Sequence, residues 1–294
     1  MDSETIESYK KAGKIASEAR EYGKNLIVKG AKVVDVLDKI ELKIKALGGS
    51  IAFPPQISMN EIAAHFCPEA KDETKFEDQL VSLDVGVHVN GFIGDTAVSV
   101  DLSGKNDKLV KASEEALKAA IEKVKVGAAI GSIGKVIEDT ITEFGFQPVR
   151  NLSGHGLDEY DIHCSPTIPN FDTKDESKLE KGQVIAIEPF ATNGAGMIHE
   201  KGDASVYMLI GKKSVRIGFV REILKQLETY NGLPFTTRWL TRKFSESQVR
   251  FAFNQLKQLE ILKEFPPLVE IQNGLVSQTE HSLLVDDEVL VLTR

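Results

Sequence analysis

Apolar and polar positions follow two different periods along the chain. A spacing of three to four residues between apolar positions predicts amphipathic helices over residues 3–28, 33–47, 107–124 and 132–144. Glycines follow two of these stretches, at Gly48 and Gly145, and are typical of helix C-termini. Between the second and third helices the period falls to two, over residues 81–100, which predicts β-strands.

The segment LDVGVHVNGFIGDTAVSV, residues 83–100, reads as a β-hairpin with an aspartate in each strand. A two-residue turn at Asn90-Gly91 fixes the register. Gly86 then faces Asp95, and Asp84 lies diagonally from Asp95 on the same face, roughly 7–8 Å away. Gly86 leaves open space there, and two carboxylates in one space repel unless a cation separates them. Since residues 81–100 contain no Lys or Arg, a metal ion is the economical cation. The alternative is that both aspartates face solvent.

The two halves of the chain repeat one pattern. A Gly-Ala pair at Gly30 precedes a helix that stops at Gly48, and a second pair at Gly127 precedes a helix that stops at Gly145. Each half continues through a histidine-bearing segment into strands with an embedded carboxylate. Two similar α/β halves predict pseudo-two-fold symmetry with a site where they meet. Chance similarity between amphipathic helices is the alternative.

Residues 205–265 interrupt this repeat. They contain a short strand pattern and helices, one of which begins at the capping box Ser245–Gln248. We therefore expect a small helical subdomain inserted in the second half. Residues 211–250 hold nine Lys or Arg and three Glu, a charge of +6, which leaves −14 for the rest of a chain whose net charge is −8.

Composition narrows the class of protein. Of the 294 residues, 41% are hydrophobic and 27% charged, as in ordinary globular proteins. The acidic net charge argues against a whole-surface nucleic-acid binder, and we expect no specific DNA partner. Two cysteines, Cys67 and Cys164, do not make a disulfide framework. With no signal peptide pattern and no long apolar run, we expect a cytoplasmic protein with no membrane association.

Four carboxylates and a glycine-flanked histidine occur at positions where the predicted secondary structure does not call for polar residues. They are Asp84, Asp95, His155, Glu188 and Glu280. One imidazole with four carboxylates suits Mn²⁺, Fe²⁺, Co²⁺ or Zn²⁺, and the charge neutralises two divalent ions. Two ions activate a shared water and polarise a carbonyl, which is hydrolytic chemistry on an amide, ester or phosphate. A single acid of this kind is more often a structural carboxylate with hydrogen-bond or ion-pair partners than a metal ligand.

The same residues carry a family resemblance. The motifs FPPQISMNEIAAHF, LDVGVHVNGFIGDTAVSV, SGHGLDEYDIHCSPTIPN, IEPFATNGAG and FPPLVEIQNGLVSQTEHSLLV resemble, in order and over essentially the whole chain, those of the type 2 methionine aminopeptidases of metallopeptidase family M24. The resemblance implies an α+β pita-bread fold, two pseudo-symmetric halves around a central antiparallel sheet. It implies a catalytic domain over residues 1–204 and 264–294 and the type 2 helical insert, winged-helix-like, over 205–263. Without a long polar N-terminal extension, the chain looks like the archaeal form.

The resemblance also implies a role for each ligand. Asp95 and Glu280 would bridge two metal ions, His155 and Glu188 would complete the site of one ion, and Asp84 that of the other. Glu188 would take a proton from the bridging water and pass it to the leaving amine. The reaction would be removal of the N-terminal methionine from peptides and nascent proteins whose second residue is small.

Five further residues are implied to contact the substrate. His65 and His163 would touch the scissile peptide and stabilise the oxyanion. Phe53, Ile162 and Phe265 would line the methionine pocket. Members of the family often have tyrosine at the position of Phe265, so the loss of a hydroxyl leaves the fine selectivity of this pocket open.

Two other readings compete with this one. The first is an Xaa-Pro aminopeptidase or prolidase of the same fold, against which the wide Glu188–Glu280 spacing argues. The second is a non-catalytic scaffold that binds RNA or protein, against which the intact ligand set argues. The basic 211–250 segment is a possible ribosome contact, although a solvated helical face is the plainer interpretation. The resemblance leads us to expect a monomer.

Overall fold

The computed structural model describes residues 1–294 and contains seven α-helices and eighteen short or medium strands. The helices are α1 (Ser3–Leu26), α2 (Val33–Ala46), α3 (Asp107–Lys123), α4 (Ile130–Glu143), α5 (Gly218–Glu228), α6 (Thr237–Thr241) and α7 (Glu246–Gln258). The strands are β1 (Ser50–Ile51), β2 (Gln56–Met59), β3 (Ile62–Ala64), β4 (Leu80–Val89), β5 (Phe92–Asp101), β6 (Gln147–Pro148), β7 (Ser153–Asp158), β8 (Asp161–Pro169), β9 (Val184–Ile187), β10 (Phe190–Thr192), β11 (Ile198–Glu200), β12 (Val206–Leu209), β13 (Phe235–Thr236), β14 (Leu262–Phe265), β15 (Leu268–Glu270), β16 (Val276–Gln278), β17 (His281–Leu284) and β18 (Leu290–Val291). The predicted mixture of helices and antiparallel strands is confirmed.

The first half is built on the β4–β5 hairpin. Its register is the predicted one, with Gly86 opposite Asp95 and Asp84 opposite Ala97. Strands β1 and β2 pair with successive parts of the other edge of β4. Helices α1 and α2 cover this sheet and share one hydrophobic core with it. The hairpin is therefore buried along most of its length, which is why both of its faces are apolar at many positions.

The second half repeats this construction. Strands β7, β8, β9, β17 and β18 form a five-stranded antiparallel sheet, and helices α3 and α4 pack on it around a second core. The repeat extends to individual hydrogen bonds. Gly30 has φ +86° and donates its N–H to Phe76, while Gly127 has φ +81° and donates to Leu179. These matching turns occur at equivalent places in the two halves, as the predicted pseudo-two-fold relation requires.

The two halves meet along a seam between β5 and the β16–β17 segment. Most of the bonds across this seam come from side chains. Ser282 accepts from the Asp95 N–H and donates to the Asp95 carbonyl, both at 2.8 Å, and the Ser99 hydroxyl donates to the Gln278 carbonyl. A backbone bond from Glu280 N–H to the Ala97 carbonyl, 3.1 Å, adds to them. Residues from both halves are thus brought side by side without a continuous ladder.

Residues 206–265 contain a third, separate core. Helices α5, α6 and α7 surround a small sheet in which β12 lies between β13 and β14. Helix α7 begins at the predicted capping box, since the Ser245 hydroxyl accepts from the Gln248 N–H and the Gln248 side chain accepts from the Ser245 N–H. None of the seven helices combines the length and hydrophobicity that a bilayer-spanning segment requires.

Candidate metal centre

One cavity of about 230 Å³ lies on the seam, and all ten residues predicted from the sequence line it. They are Phe53, His65, Asp84, Asp95, His155, Ile162, His163, Glu188, Phe265 and Glu280. The first half contributes both hairpin aspartates, and the second half contributes the remaining candidate ligands. Asp84 and Glu280, which are 196 positions apart in the chain, therefore line one cavity because the two halves are packed face to face.

The candidate ligands form a close cluster around His155. Its Nε2 lies 3.9 Å from Asp95 Oδ2 and 3.7 Å from Glu188 Oε1. One ligand atom each from Asp95, His155 and Glu280 lie within 4.8 Å of one another. Asp95 and Glu280 are almost fully buried, with 3% and 1% of their surface exposed. This separation of oxygen and nitrogen donors is suited to a metal ion between them.

The hydrogen bonding of the cluster tests this interpretation. Asp84 Oδ1 and Asp95 Oδ1 are buried and have no hydrogen-bond partner in the protein. No Lys or Arg lines the cavity to neutralise the carboxylates. Buried carboxylate oxygens without partners are costly, so they require a cation or a proton. The residues present therefore fit a metal centre rather than a structural ion-pair network.

The pKa values of the cluster also indicate that its carboxylates require a cation or protons. Burial raises the pKa of Asp84 to about 7. Burial, and after it the neighbouring carboxylates, raise the pKa values of Asp95, Glu188 and Glu280 well above their usual range. Carboxyls in this state hold protons unless positive charge is supplied. The same field that favours protons favours divalent cations.

The apolar residues around Glu188 in the sequence predicted that it lies within a strand, and this prediction was wrong. Glu188 falls in the break between β9 and β10, where the chain leaves one sheet for another. Its Oε2 accepts a hydrogen bond of 3.2 Å from the side-chain amide of Gln278. The sequence interpretation missed Gln278, although it stands two residues before Glu280 and is only 2% exposed.

Two histidines border the cluster without joining it. His65 adopts φ +64°, and its N–H donates to Gln56 Oε1 at 2.7 Å. Burial lowers the pKa of His65 to about 4, and its Nδ1 is buried without a partner. The ring of His163 lies 4.6 Å from that of His155, and burial lowers its pKa as well. At neutral pH both rings are uncharged, and each can donate one N–H. Gln56 is a second neighbour that the sequence did not reveal.

The other wall of the cavity is apolar. Phe53, Ile162 and Phe265 are 5%, 5% and 8% exposed. The space that the sequence assigned to an open site beside Gly86 is occupied by the Phe53 ring, because a Cβ at Gly86 would lie 2.1 Å from Phe53 Cε1. Gly86 therefore makes room for a pocket wall, and the expectation of open space there was wrong.

Comparison with known proteins identifies the family. The profile of metallopeptidase family M24 matches residues 7–219. The chain belongs to metallopeptidase family M24. It is 45% identical to a methionine aminopeptidase of Archaeoglobus fulgidus over 295 residues, which cover 100% of this chain and 99% of that one. It is 40% identical to a methionine aminopeptidase of Methanocaldococcus jannaschii, covering 98% and 99%.

The fold is shared with a solved structure of lower identity. The methionine aminopeptidase of Thermotoga maritima superposes with a TM-score of 0.73 at 24% identity, covering 100% of this chain and 98% of that chain. Membership of the family and this likeness confirm the predicted pita-bread fold. Membership of the family, together with the relatives at 40–45% identity, confirms the predicted class of protein, a metal-dependent peptidase.

Proposed function

We propose that the chain is the archaeal form of a type 2 methionine aminopeptidase, which removes the N-terminal methionine of peptides and nascent proteins when the second residue is small. The observation that carries this proposal is the cavity itself. Buried carboxylates and His155 form one of its walls, and Phe53, Ile162 and Phe265 form the other. Such a cavity can hold an apolar side chain of a substrate next to the residues that would carry out hydrolysis. Relatives at 40–45% identity over almost the full chain are methionine aminopeptidases.

The ligands of two divalent ions would be Asp84, Asp95, His155, Glu188 and Glu280. Four carboxylates would balance two dipositive ions, and the family resemblance assigns to Asp95 and Glu280, both almost fully buried, a role shared by both ions. When bound, these ions acidify water and polarise the carbonyl of the scissile peptide. Co, Mn, Fe and Zn all suit this donor set.

Glu188 is the residue proposed to move the proton. Its carboxylate faces the cluster from one side, and Gln278 holds its other oxygen. This carboxylate, held between His155 and Gln278, is placed to accept a proton from the attacking water. The same group then passes that proton to the leaving amine.

His65 and His163 are proposed to hold the peptide. Both rings line the cavity and are neutral at pH 7, because burial lowers their pKa values. A neutral imidazole donates one N–H, which can stabilise the negative oxygen that develops at the attacked carbonyl. The ring of Phe265, 5.5 Å from that of His65, packs against the methionine side chain on the same side.

The decisive experiment measures free methionine released from a Met-Gly-Xaa peptide. Metal-stripped protein, protein with added Co²⁺ or Mn²⁺ and the Glu188→Ala variant are compared. We expect release that depends on metal and falls by about 10³-fold or more in the variant. Glu200→Ala, which removes an exposed glutamate, serves as the matched control and should behave as the native protein does.

The two competing functions have distinct outcomes in the same assay. Release of glycine from a Gly-Pro peptide, without release of methionine, would favour an Xaa-Pro aminopeptidase. Well-folded protein that hydrolyses neither peptide with any of the four metals would favour a non-catalytic scaffold.

We further propose that exposed basic residues of the 211–250 segment contact the ribosome. The structure changes which residues can take part. Arg238 is 1% exposed and ion-paired, so it contributes nothing to a surface. Lys212, Lys213 and Arg216 precede α5 and are exposed. Reversal of these three charges should reduce co-sedimentation with ribosomes at low salt. Unchanged co-sedimentation would leave the segment as a solvated face.

Three further properties belong to this proposal. The domains are taken as residues 1–204 with 264–294 and the insert 205–263, supported by the separate core of the insert. A cytoplasmic location is supported by free cysteines at positions 67 and 164, which are usual in reducing compartments. The protein is proposed to act as a monomer.

A further inference from the structure

A buried ion-pair cluster joins the insert to the first half, away from the carboxylates of the cavity. Helix α2 supplies Asp38 and Glu41, and the α6 segment of the insert supplies Arg238, Trp239 and Arg242. Arg238 Nη2 donates to Glu41 Oε1 at 2.5 Å, and Arg238 also donates to Asp38. The Trp239 indole donates to Glu41 at 2.8 Å. Arg242 adds bonds to both acids, at 2.8 Å and 3.1 Å.

Burial distinguishes Arg238 and Glu41 from the remaining members. The Arg238 and Glu41 side chains are each 2% exposed, whereas those of Arg242 and Asp38 are 47% and 43% exposed. A buried pair of this kind has low tolerance for change, because loss of one partner leaves the other charged and desolvated. It therefore fixes the distance and angle between the insert and α2 more strongly than surface pairs do.

Arg238 also reaches the segment that carries His65. Its Nη2 lies 3.9 Å from Cys67 Sγ, and the Cys67 N–H donates to the Ser205 hydroxyl at 3.1 Å, immediately before β12. One guanidinium thus contacts α2 and the Cys67 segment, while the backbone of Arg238 follows β13. The planar fork of arginine serves these partners at once, which a lysine ammonium cannot do.

The insert sheet contributes a wall of the cavity. Val206 of β12 pairs with Thr236 of β13 and with Phe265 of β14, and Val206, Pro234 and Phe265 all line the cavity. Pro234 directly precedes β13, and Arg238 lies four residues after Pro234, in α6. The position of this wall therefore depends on how the insert sheet is held against the first half.

We propose that Arg238, through its pair with Glu41, is a positioning residue that sets the insert wall of the methionine pocket. This inference rests on the proposed function for its kinetic consequence. Arg238 touches neither the substrate nor the metal ligands. Its loss should weaken binding of the methionine side chain and leave the proton transfer at Glu188 largely intact.

The test compares Arg238→Lys with the matched control Arg242→Lys in metal-loaded protein, at a temperature where circular dichroism shows both folded. Both changes keep the charge and face the same two acids, but only Arg238 is buried and reaches Cys67. We expect Arg238→Lys to raise KM for Met-Gly-Xaa about tenfold, with kcat within about threefold of the native value. The Kd of L-methionine should rise by a similar factor. Arg242→Lys should change both by less than about twofold.

Hydrogen exchange gives a readout that is independent of activity. In Arg238→Lys, amides at residues 206–209 and 65–67 should exchange faster, while those at 153–158 should not change. Should Arg238→Lys not fold, Glu41→Gln replaces it, with the same expectations. Unchanged KM, Kd and exchange in a folded variant with a lowered unfolding midpoint would overturn the proposal and leave the pair as a stabilising contact only. Native protein that releases no methionine would contradict the proposed function instead, and the exchange comparison would still decide the positioning role.

Discussion

Gly86 and Phe53 share one space beside the carboxylate cluster, since a Cβ atom on Gly86 would lie 2.1 Å from Phe53 Cε1 and 2.4 Å from Cδ1. Phe53 is almost fully buried, so its ring has little freedom to move except toward the cavity. Absence of a side chain at Gly86 is therefore what allows Phe53 to form a wall of the pocket.

The first prediction concerns Gly86→Ala. The added methyl group should push the Phe53 ring into the cavity and raise KM for Met-Gly-Xaa by about tenfold, with a loss of about 1–3 kcal/mol in the free energy of unfolding. Steady-state kinetics and urea denaturation measure both effects. Gly218→Ala is the control, because a Cβ there meets nothing within 4 Å. Equal behaviour of the two variants would contradict the crowding argument.

The second prediction concerns the stability of metal-free protein. Burial raises the pKa of Asp84 to about 7 in the folded protein, from 3.8. The folded state therefore binds more protons than the unfolded state between these values, and the free energy of unfolding should fall as pH rises from about 4 to 7, by on the order of 2–4 kcal/mol. Urea midpoints of metal-stripped protein across this range measure the loss, and added metal should reverse it.

Asp84→Asn provides the matched comparison for this pH dependence. The amide cannot ionise, so the metal-free variant should show a shallower fall and should exceed the native protein in stability at pH 8. Metal should stabilise the variant less than the native protein, because one carboxylate ligand is lost. A native stability profile that is flat from pH 4 to 8 without metal would contradict the raised pKa of Asp84.

The third prediction concerns Gln278, which donates to Glu188 at 3.2 Å. Gln278→Leu keeps much of the volume and removes the donor, so the carboxylate loses its orientation. Activity or metal affinity should fall about 10–100-fold, as is usual when the outer partner of a ligand is removed. Isothermal titration of the metal and methionine release separate the two effects. Gln258→Leu, at an exposed position at the end of α7, should have no effect on either.

The fourth prediction concerns a buried carboxylate outside the cavity. Glu270 accepts backbone N–H bonds from Ala195, Gln272 and Gly274 at 2.6, 2.7 and 2.9 Å. Glu270→Gln turns one acceptor oxygen into a donor facing an N–H, so the free energy of unfolding should fall by about 2–3 kcal/mol. Urea denaturation measures the loss. Glu228→Gln, an exposed helical position, should be neutral, and methionine release by folded Glu270→Gln should stay native-like.

Local patterns predicted much of this fold. The hairpin register followed from two turn residues, because a two-residue loop permits little choice. Asp2, a residue type that is favoured at helix N-termini, accepts a hydrogen bond from the Thr5 N–H at the start of α1. Gly48 and Gly145 adopt positive φ where their helices stop. In each case neighbouring residues determine the conformation, so the information lies within a few positions of the chain.

Contacts between distant segments were less accessible. Nothing near Gly86 in the sequence indicates that Phe53 fills the adjacent space. Gln56 and Gln278 are ordinary strand residues until the fold places them beside His65 and Glu188. Arg238 was counted among the basic residues of the 211–250 segment. Its ion pair with Glu41 joins residues 197 positions apart, and a count of charges does not reveal such a contact. The candidate carboxylate ligands were found because acidic residues within apolar stretches of sequence are unusual, and this signal lies within a few positions of each residue.

The seam between the halves determines how the candidate ligands are divided between the two portions of the chain. Asp84 and Asp95 belong to the segment before residue 102, and His155, Glu188 and Glu280 to the segment after residue 106. Neither portion alone holds all five candidate ligands, and serine hydroxyls join the two. A chain severed in this linker would yield fragments that are inert when apart, and function would return only through complementation. The candidate metal centre is therefore shared between the two portions, as a site at the interface of two half-length subunits would be.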